Sequence, residues 1–116
     1  MNFKKQLLNP VQLDPVNVKI LGGEFSILRL TAARLNEHDK TIKKYQKDQD
    51  GEQLNTAAAL IVLDSILDED NKPMSDSVTP ADLMAAQTPM AINSAVLKIM
   101  SINFMGEDAE KAAKKD

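Results

Sequence analysis

Residues Ala57 to Leu67, AAALIVLDSIL, carry apolar side chains on nearly every face of a helix. A surface helix shows one apolar stripe, whereas a helix apolar all round is buried at the centre of a domain. This stretch therefore predicts a central helix, entered at Leu54 or Asn55 and ending near Leu67, with every other element packed against it. A chain of 116 residues fits one such domain, and at this size folding buries roughly two thirds of the unfolded surface. Hydrophobic residues make up 43% of the chain but aromatics only 3%. The core is thus assigned to Leu, Ile, Val, Ala and Met, with Phe3, Phe25, Phe104 and Tyr45 as its few large pieces.

The flanking segments set the fold class. Phe3, Leu7 and Leu8 lie on one side of a short amphipathic turn that Asn9-Pro10 stops, which reads as a docking arm. VNVKIL and EFSILRL alternate in polarity on either side of Gly22-Gly23. A Gly-Gly loop suits a primed hairpin turn, whose central residues need positive φ. Pairing outward from that turn sets Leu21 opposite Glu24, Ile20 opposite Phe25, Lys19 opposite Ser26 and Val18 opposite Ile27. One face is then Val18, Ile20, Phe25 and Ile27, and an isolated hairpin needs that face covered by helices.

Thr31 is placed to cap a helix from Ala32 to the DQDG turn at residues 48–51. After the central helix, DEDNKPM at residues 68–74 reads as a turn. Taken as a calcium loop beginning at Asp68, it puts Pro73 where glycine is needed and Thr79 where the bidentate carboxylate is needed. Thr79-Pro80-Ala81-Asp82 is a capping-box start with proline at the first helical position. Thr88-Pro89 begins a longer helix carrying Ile92, Val96, Ile99, Met100 and Phe104, with Gly106 as its terminal cap. The fold class is α+β, mostly α: an N-terminal β-hairpin packed on a small bundle of about four helices. Residues 1–106 form a single domain, and residues 107–116, charged and without large apolar side chains, form a disordered C-terminal tail.

The reactive inventory is thin, and no catalytic, cofactor-binding or metal-ligating residue is assigned. There is no cysteine and one histidine, His38, which sits between Leu35 and Ile42 as a half-buried spacer rather than a ligand or base. The start MNFKKQLLNP lacks a signal-peptide core, and no apolar run approaches the ~20 residues of a membrane span. The expectation is a soluble intracellular protein that is not an enzyme and uses no cofactor.

Net charge is −3, but residues 1–47 hold nine Lys/Arg against four Asp/Glu, and residues 48–116 five against thirteen. Such halves either form solvated faces or attract one another between copies, and a head-to-tail contact of that kind generates rings or open spirals. Lys40, Lys43, Lys44 and Lys47 form a basic stripe. With one aromatic neighbour on an acidic chain, it is not expected to bind nucleic acid. Met74, Met84, Met90, Met100 and Met105 fall late in the chain, where they either fill a core or form an adaptable groove for a partner segment. The candidate partner-binding residues are therefore Met84, Met90, Met100, Met105, Lys40, Lys43, Lys44 and Lys47.

LLNP at residues 7–10, the hairpin running into LTA at 30–32, LDEDNKPM at 67–74 and NFMGED at 103–108 together resemble the tail assembly chaperones of long-tailed, siphovirus-type bacteriophages. The resemblance rests on order and spacing over about residues 3–108. It implies a helper that acts in the host cytoplasm, coats and solubilises the tape measure protein, recruits major tail tube subunits, self-associates into spirals and is absent from the mature virion. The family commonly makes an extended form by programmed frameshifting, and Lys114-Lys115 is compatible with an adenine-rich slip run. The alternative is a structural or adaptor component retained in the tail or head-tail connector.

Overall fold

The computed structural model describes residues 2–9 and 14–105, the last of these by its backbone alone. In chain order the elements are α1 (Phe3–Leu8), β1 (Val16–Ile20), β2 (Gly23–Ile27), α2 (Ala32–Lys47), α3 (Gly51–Ser65), a 3₁₀ turn (Met74–Asp76), α4 (Pro80–Ala86) and α5 (Pro89–Met105). The class is the expected one, a mostly helical α+β domain with an antiparallel hairpin. The expectations for Gly106 and for the tail at 107–116 lie outside the described residues.

α3 is the central helix, in contact with α2, α4, α5 and the 3₁₀ turn. Ala57, Ala58, Ala59, Ile61, Val62, Leu63 and Ser65 are all buried. Its ends differ from the sequence reading. The helix begins at Gly51 rather than Leu54 because the Asp50 carboxylate accepts from the Gln53 amide at 3.1 Å, capping an orphan donor. It ends at Ser65 because Ile66 and Leu67 turn extended and join the open edge of β2. There the Leu67 amide donates to Ser26 O at 3.0 Å, and the Leu28 amide to Ser65 O at 2.8 Å.

The hairpin turn also differs. Ile20 pairs with Gly23 and Val18 with Phe25, so the two loop residues are Leu21 and Gly22, not Gly22 and Gly23. Both take left-handed backbone, φ +55 and φ +78, as a type I′ turn requires. Gly23 is a strand residue whose missing side chain leaves room for a ring, since a Cβ there would stand 3.1 Å from Phe25 Cε2. Moving the turn by one residue moves each pairing by two, so every side chain keeps its face. Val18, Ile20 and Ile27 therefore still point into the core, and Leu21 repays its strained backbone by packing against the same cluster.

Two glycine positions thus have different requirements. Valine at Gly22 is expected to cost about 1–2 kcal/mol through backbone strain alone, and asparagine there should recover most of it because Asn tolerates positive φ. At Gly23 asparagine and valine should behave alike, since either sets the same Cβ 3.1 Å from the rim of the half-buried Phe25 ring, which has to give by a few tenths of an ångström. Thermal melting of the four single variants checks this.

α5 packs on α3 and β1 and adds Ile92, Ala95, Ile99 and Ile102 to the core, all buried. Lys98 Nζ donates to Lys19 O at 2.8 Å, tying the helix to β1. The aromatic pieces do not fill this core: Phe25 and Tyr45 are half-buried, while Phe3 and Phe104 are exposed. The isoleucines explain Phe104. At about 100° per residue, a helix that points Ile99 inward points the residue five later about 140° away.

Candidate partner-binding groove

Thr88 caps α5 by accepting from the Ala91 amide at 3.1 Å, with Pro89 in the first helical position as the sequence predicts. From the buried line of Ile92, Ile99 and Ile102, the apolar surface continues round the helix through Val96 and Met100 to a second line, Met90, Leu97 and Phe104. Those three, spaced by seven, are 78%, 72% and 71% exposed. Seven-residue spacing keeps side chains on one side of a helix, as in a coiled-coil seam, and at 1.5 Å per residue the line runs about 21 Å.

Between α5 and α2 lies an apolar groove of about 510 Å³. Leu35 and Ile42 of α2 form one wall, Val96, Met100 and Phe104 of α5 the other, and Ile61 of α3 the floor; Asn36, Asp39 and His38 supply the polar edge. Asn103 fixes the α5 wall. Its side-chain carbonyl accepts from the Leu30 amide at 2.7 Å and its NH₂ donates to Ile99 O at 2.8 Å. The strand exit leading into α2 is thereby held against the last turn of α5.

The α2 wall is held by a charged cluster. Asp64 Oδ2 accepts from Arg34 Nε at 2.9 Å, from Arg34 Nη2 at 2.6 Å and from the His38 ring nitrogen Nε2 at 2.8 Å. Arg34 also donates to Glu37 at 2.8 Å. The bonds to Glu37 first, then to Asp64, raise the guanidinium pKa above its ordinary value against the opposing effect of burial. His38 is 5% exposed, more deeply buried than a half-buried spacer, because Asp64 supplies the partner a buried ring needs. The sequence did carry this signal: Asp64 is the one charged side chain inside AAALIVLDSIL, and a carboxylate in such a setting must be paired.

The candidate residues disperse. Met100 lines the groove and Met90 stands on the exposed line of α5. Met84 and Met74 are half-buried against the core from α4 and the 3₁₀ turn, and Met105 has no described side chain. Lys40, Lys43, Lys44 and Lys47 are exposed on α2. Lys43 pairs with Asp39 at 2.9 Å, and Lys44 lies 5.7 Å from the centre of the Tyr45 ring. Lys44 and Lys47 occupy the last turn, where cations complement the helix dipole. The turn reading of DEDNKPM has its own carboxylate role, since Asp68 Oδ1 accepts from the Asp70 and Lys72 amides at 2.8 and 3.0 Å.

Sequence reasoning missed the exposure of Leu97 and Phe104. The available signal was the width of the α5 apolar arc, broader than a single contact with α3 requires. Fold and groove together make a small, mostly helical α+β domain with an exposed apolar line on α5. The chain matches the family model for phage tail assembly chaperone protein, TAC, over residues 2–113, and it belongs to that family. No curated protein and no solved structure matches it.

Proposed function

We propose that this chaperone coats apolar helical stretches of the tape measure protein, keeps them in solution and brings major tail tube subunits to them in the host cytoplasm, and that it is left out of the finished virion. The observation that carries the reading is the line of Met90, Leu97 and Phe104 beside the α2–α5 groove: large apolar side chains left uncovered on a helix whose other face closes the core. An amphipathic client helix laid along α5 buries its own apolar face against that line, the helix-in-groove mode of recognition. The exposed lysines of α2 give a second surface, suited to an acidic patch on a further partner. Among the described residues no helix is long and apolar enough to cross a membrane.

Co-expression with the tape measure protein, affinity pull-down and light scattering of the eluate test the reading. The wild-type chain should hold the tape measure in a soluble complex with many copies per client. Leu97→Asp and Phe104→Asp should each weaken the complex by on the order of tenfold or more, as loss of an interface anchor does. Both residues are exposed, so unfolding free energies should stay within about 0.5 kcal/mol of wild type. A tape measure no more soluble with the chaperone than without it overturns the reading, as does finding the chaperone at tail stoichiometry in purified virions.

A further inference from the structure

The α2–α5 groove holds a polar atom that the interior leaves unused. His38 is 5% exposed and lines the groove. Its Nε2 donates to Asp64 Oδ2 at 2.8 Å, which pins the ring with that nitrogen toward α3. Nδ1 has no partner among the described residues. In those residues every side-chain polar atom sealed from solvent does have one, so Nδ1 stands open where the ring lines the groove. A neutral imidazole that donates from Nε2 accepts at Nδ1.

The surroundings decide what that acceptor takes. Leu35 and Ile42 flank His38 along α2, and Ile61, Val96 and Met100 belong to the same lining. A client helix laid over the groove buries whatever it sets against the ring. An ammonium or guanidinium is costly to bury among such side chains, and a wholly apolar client leaves Nδ1 desolvated and unpaired. An amide donor brings further polar atoms that also need partners, whereas a hydroxyl donates once and leaves the least to satisfy. The carboxylate of the lining, Asp39, does not change this choice, since it already pairs with Lys43 at 2.9 Å.

We infer that the groove selects client helices carrying a Ser or Thr hydroxyl within the apolar face, and that His38 Nδ1 accepts from that hydroxyl. The inference rests on the chaperone reading proposed above, with the client helix seated over the groove, and it names which helices are taken. Leu35 and Ile42 stand three residues before and four after His38, so the matching client face carries a large apolar residue three or four positions to either side of the hydroxyl. Discrimination comes from rejection. A site built to hydrogen-bond a hydroxyl disfavours the analogue that lacks it, because its own polar atom is then left unpaired. His38 is thus a specificity-determining residue: Asp64 orients the ring, and the ring reads the client.

Overlapping synthetic peptides of the tape measure protein, about 20 residues or 30 Å of helix each, test this when fluorescein-labelled and titrated with the full chain by anisotropy. Those that bind should carry the hydroxyl pattern, and replacing a threonine at its centre with the isosteric valine should weaken binding by on the order of tenfold. His38→Gln keeps a donor for Asp64 but has no atom at the Nδ1 position. It should bind the threonine and valine peptides alike, because the client hydroxyl falls back on the carbonyl one turn earlier in its own helix. The ratio between the two peptides is the readout, and a partial loss of folded protein scales both equally. A second measurement needs no variant. His38 is the single histidine of the chain, so nitrogen NMR of the isotope-labelled ring is self-assigning. The free chain should show Nε2 protonated and Nδ1 bare, and the threonine peptide should shift Nδ1 while the valine peptide does not. Equal binding of the two peptides by the wild type, a His38→Gln chain that keeps the preference, or an Nδ1 already protonated in the free chain overturns the inference. If no peptide binds but the intact tape measure is still held in solution, the inference falls and the chaperone reading stands. If neither is bound, both fall.

Discussion

Replacing Ile61 with alanine is expected to cost about 3–4 kcal/mol and to lower the melting temperature by roughly 10–20 °C. Ile61 is wholly buried in the second half of α3, in one cluster with Val18, Ile20 and Ile27 of the hairpin and Ile92, Ile99 and Ile102 of α5. Truncation removes three methyl or methylene groups from that cluster and leaves a void where helix and hairpin meet. Its buried neighbours in that cluster are isoleucine, valine and alanine, whose stiff or short side chains fill such a void poorly, and Leu35 and Met100 border it only from the groove side. A domain of this size holds roughly 5–15 kcal/mol in total, so one substitution consumes a large share. Phe104→Ala deletes a larger side chain yet should leave the melting temperature nearly unchanged, because Phe104 is exposed. Denaturant unfolding of the two variants side by side measures the contrast.

Asp64→Ala is the second large effect, expected at about 2–4 kcal/mol. The cost comes from what is left behind. Arg34 retains Glu37 and solvent contact, but His38 Nε2 loses its partner in a buried setting. His38→Ala alone should also destabilise, while the double variant should be less unstable than the sum of the two singles, with a coupling of about 1–2 kcal/mol. Arg34→Ala should cost less than either, since its side chain is 41% exposed. A double-mutant cycle read by chemical denaturation separates these terms. Strict additivity of His38 and Asp64 would show that the bond between them contributes nothing. Loss of phage growth in a His38→Ala variant is therefore expected to follow lost stability and to recover at lower temperature.

Local signals proved sufficient where one side chain settles the backbone. Thr31, Thr79 and Thr88 each cap a helix where the sequence places them, and Thr79 with Asp82 makes the full reciprocal box. Elements whose limits depend on a distant neighbour were less legible. Nothing near Leu67 in the sequence announces that β2 offers an open edge to Ile66 and Leu67, so α3 was expected to run two residues too far. The turn was misplaced by one because Gly-Gly is the stronger turn signal by backbone cost, whereas Leu21 accepts positive φ in return for packing and Gly23 is a strand residue beside the Phe25 ring. The groove was hardest to foresee. Its residues Leu35, Ile42, Val96 and Phe104 carry the same periodicity as core residues, and periodicity alone does not say which of two apolar lines on α5 finds a partner inside the domain.

That α5 serves both the interior and the outer line has a thermodynamic consequence. On the function proposed above, a client gripping Met90, Leu97 and Phe104 would bind a helix whose opposite face, Ile92, Ala95, Ile99 and Ile102, is the inner wall of the domain. The unfolded chain offers no such ordered line, so occupancy adds directly to the free energy of unfolding by linkage. On that proposal a loaded chaperone should be harder to melt than an empty one, and the rise in melting temperature with client concentration should titrate the binding constant. Handing the client onward would return the domain to its lower intrinsic stability, so copies released after assembly should be the ones most open to unfolding and proteolysis.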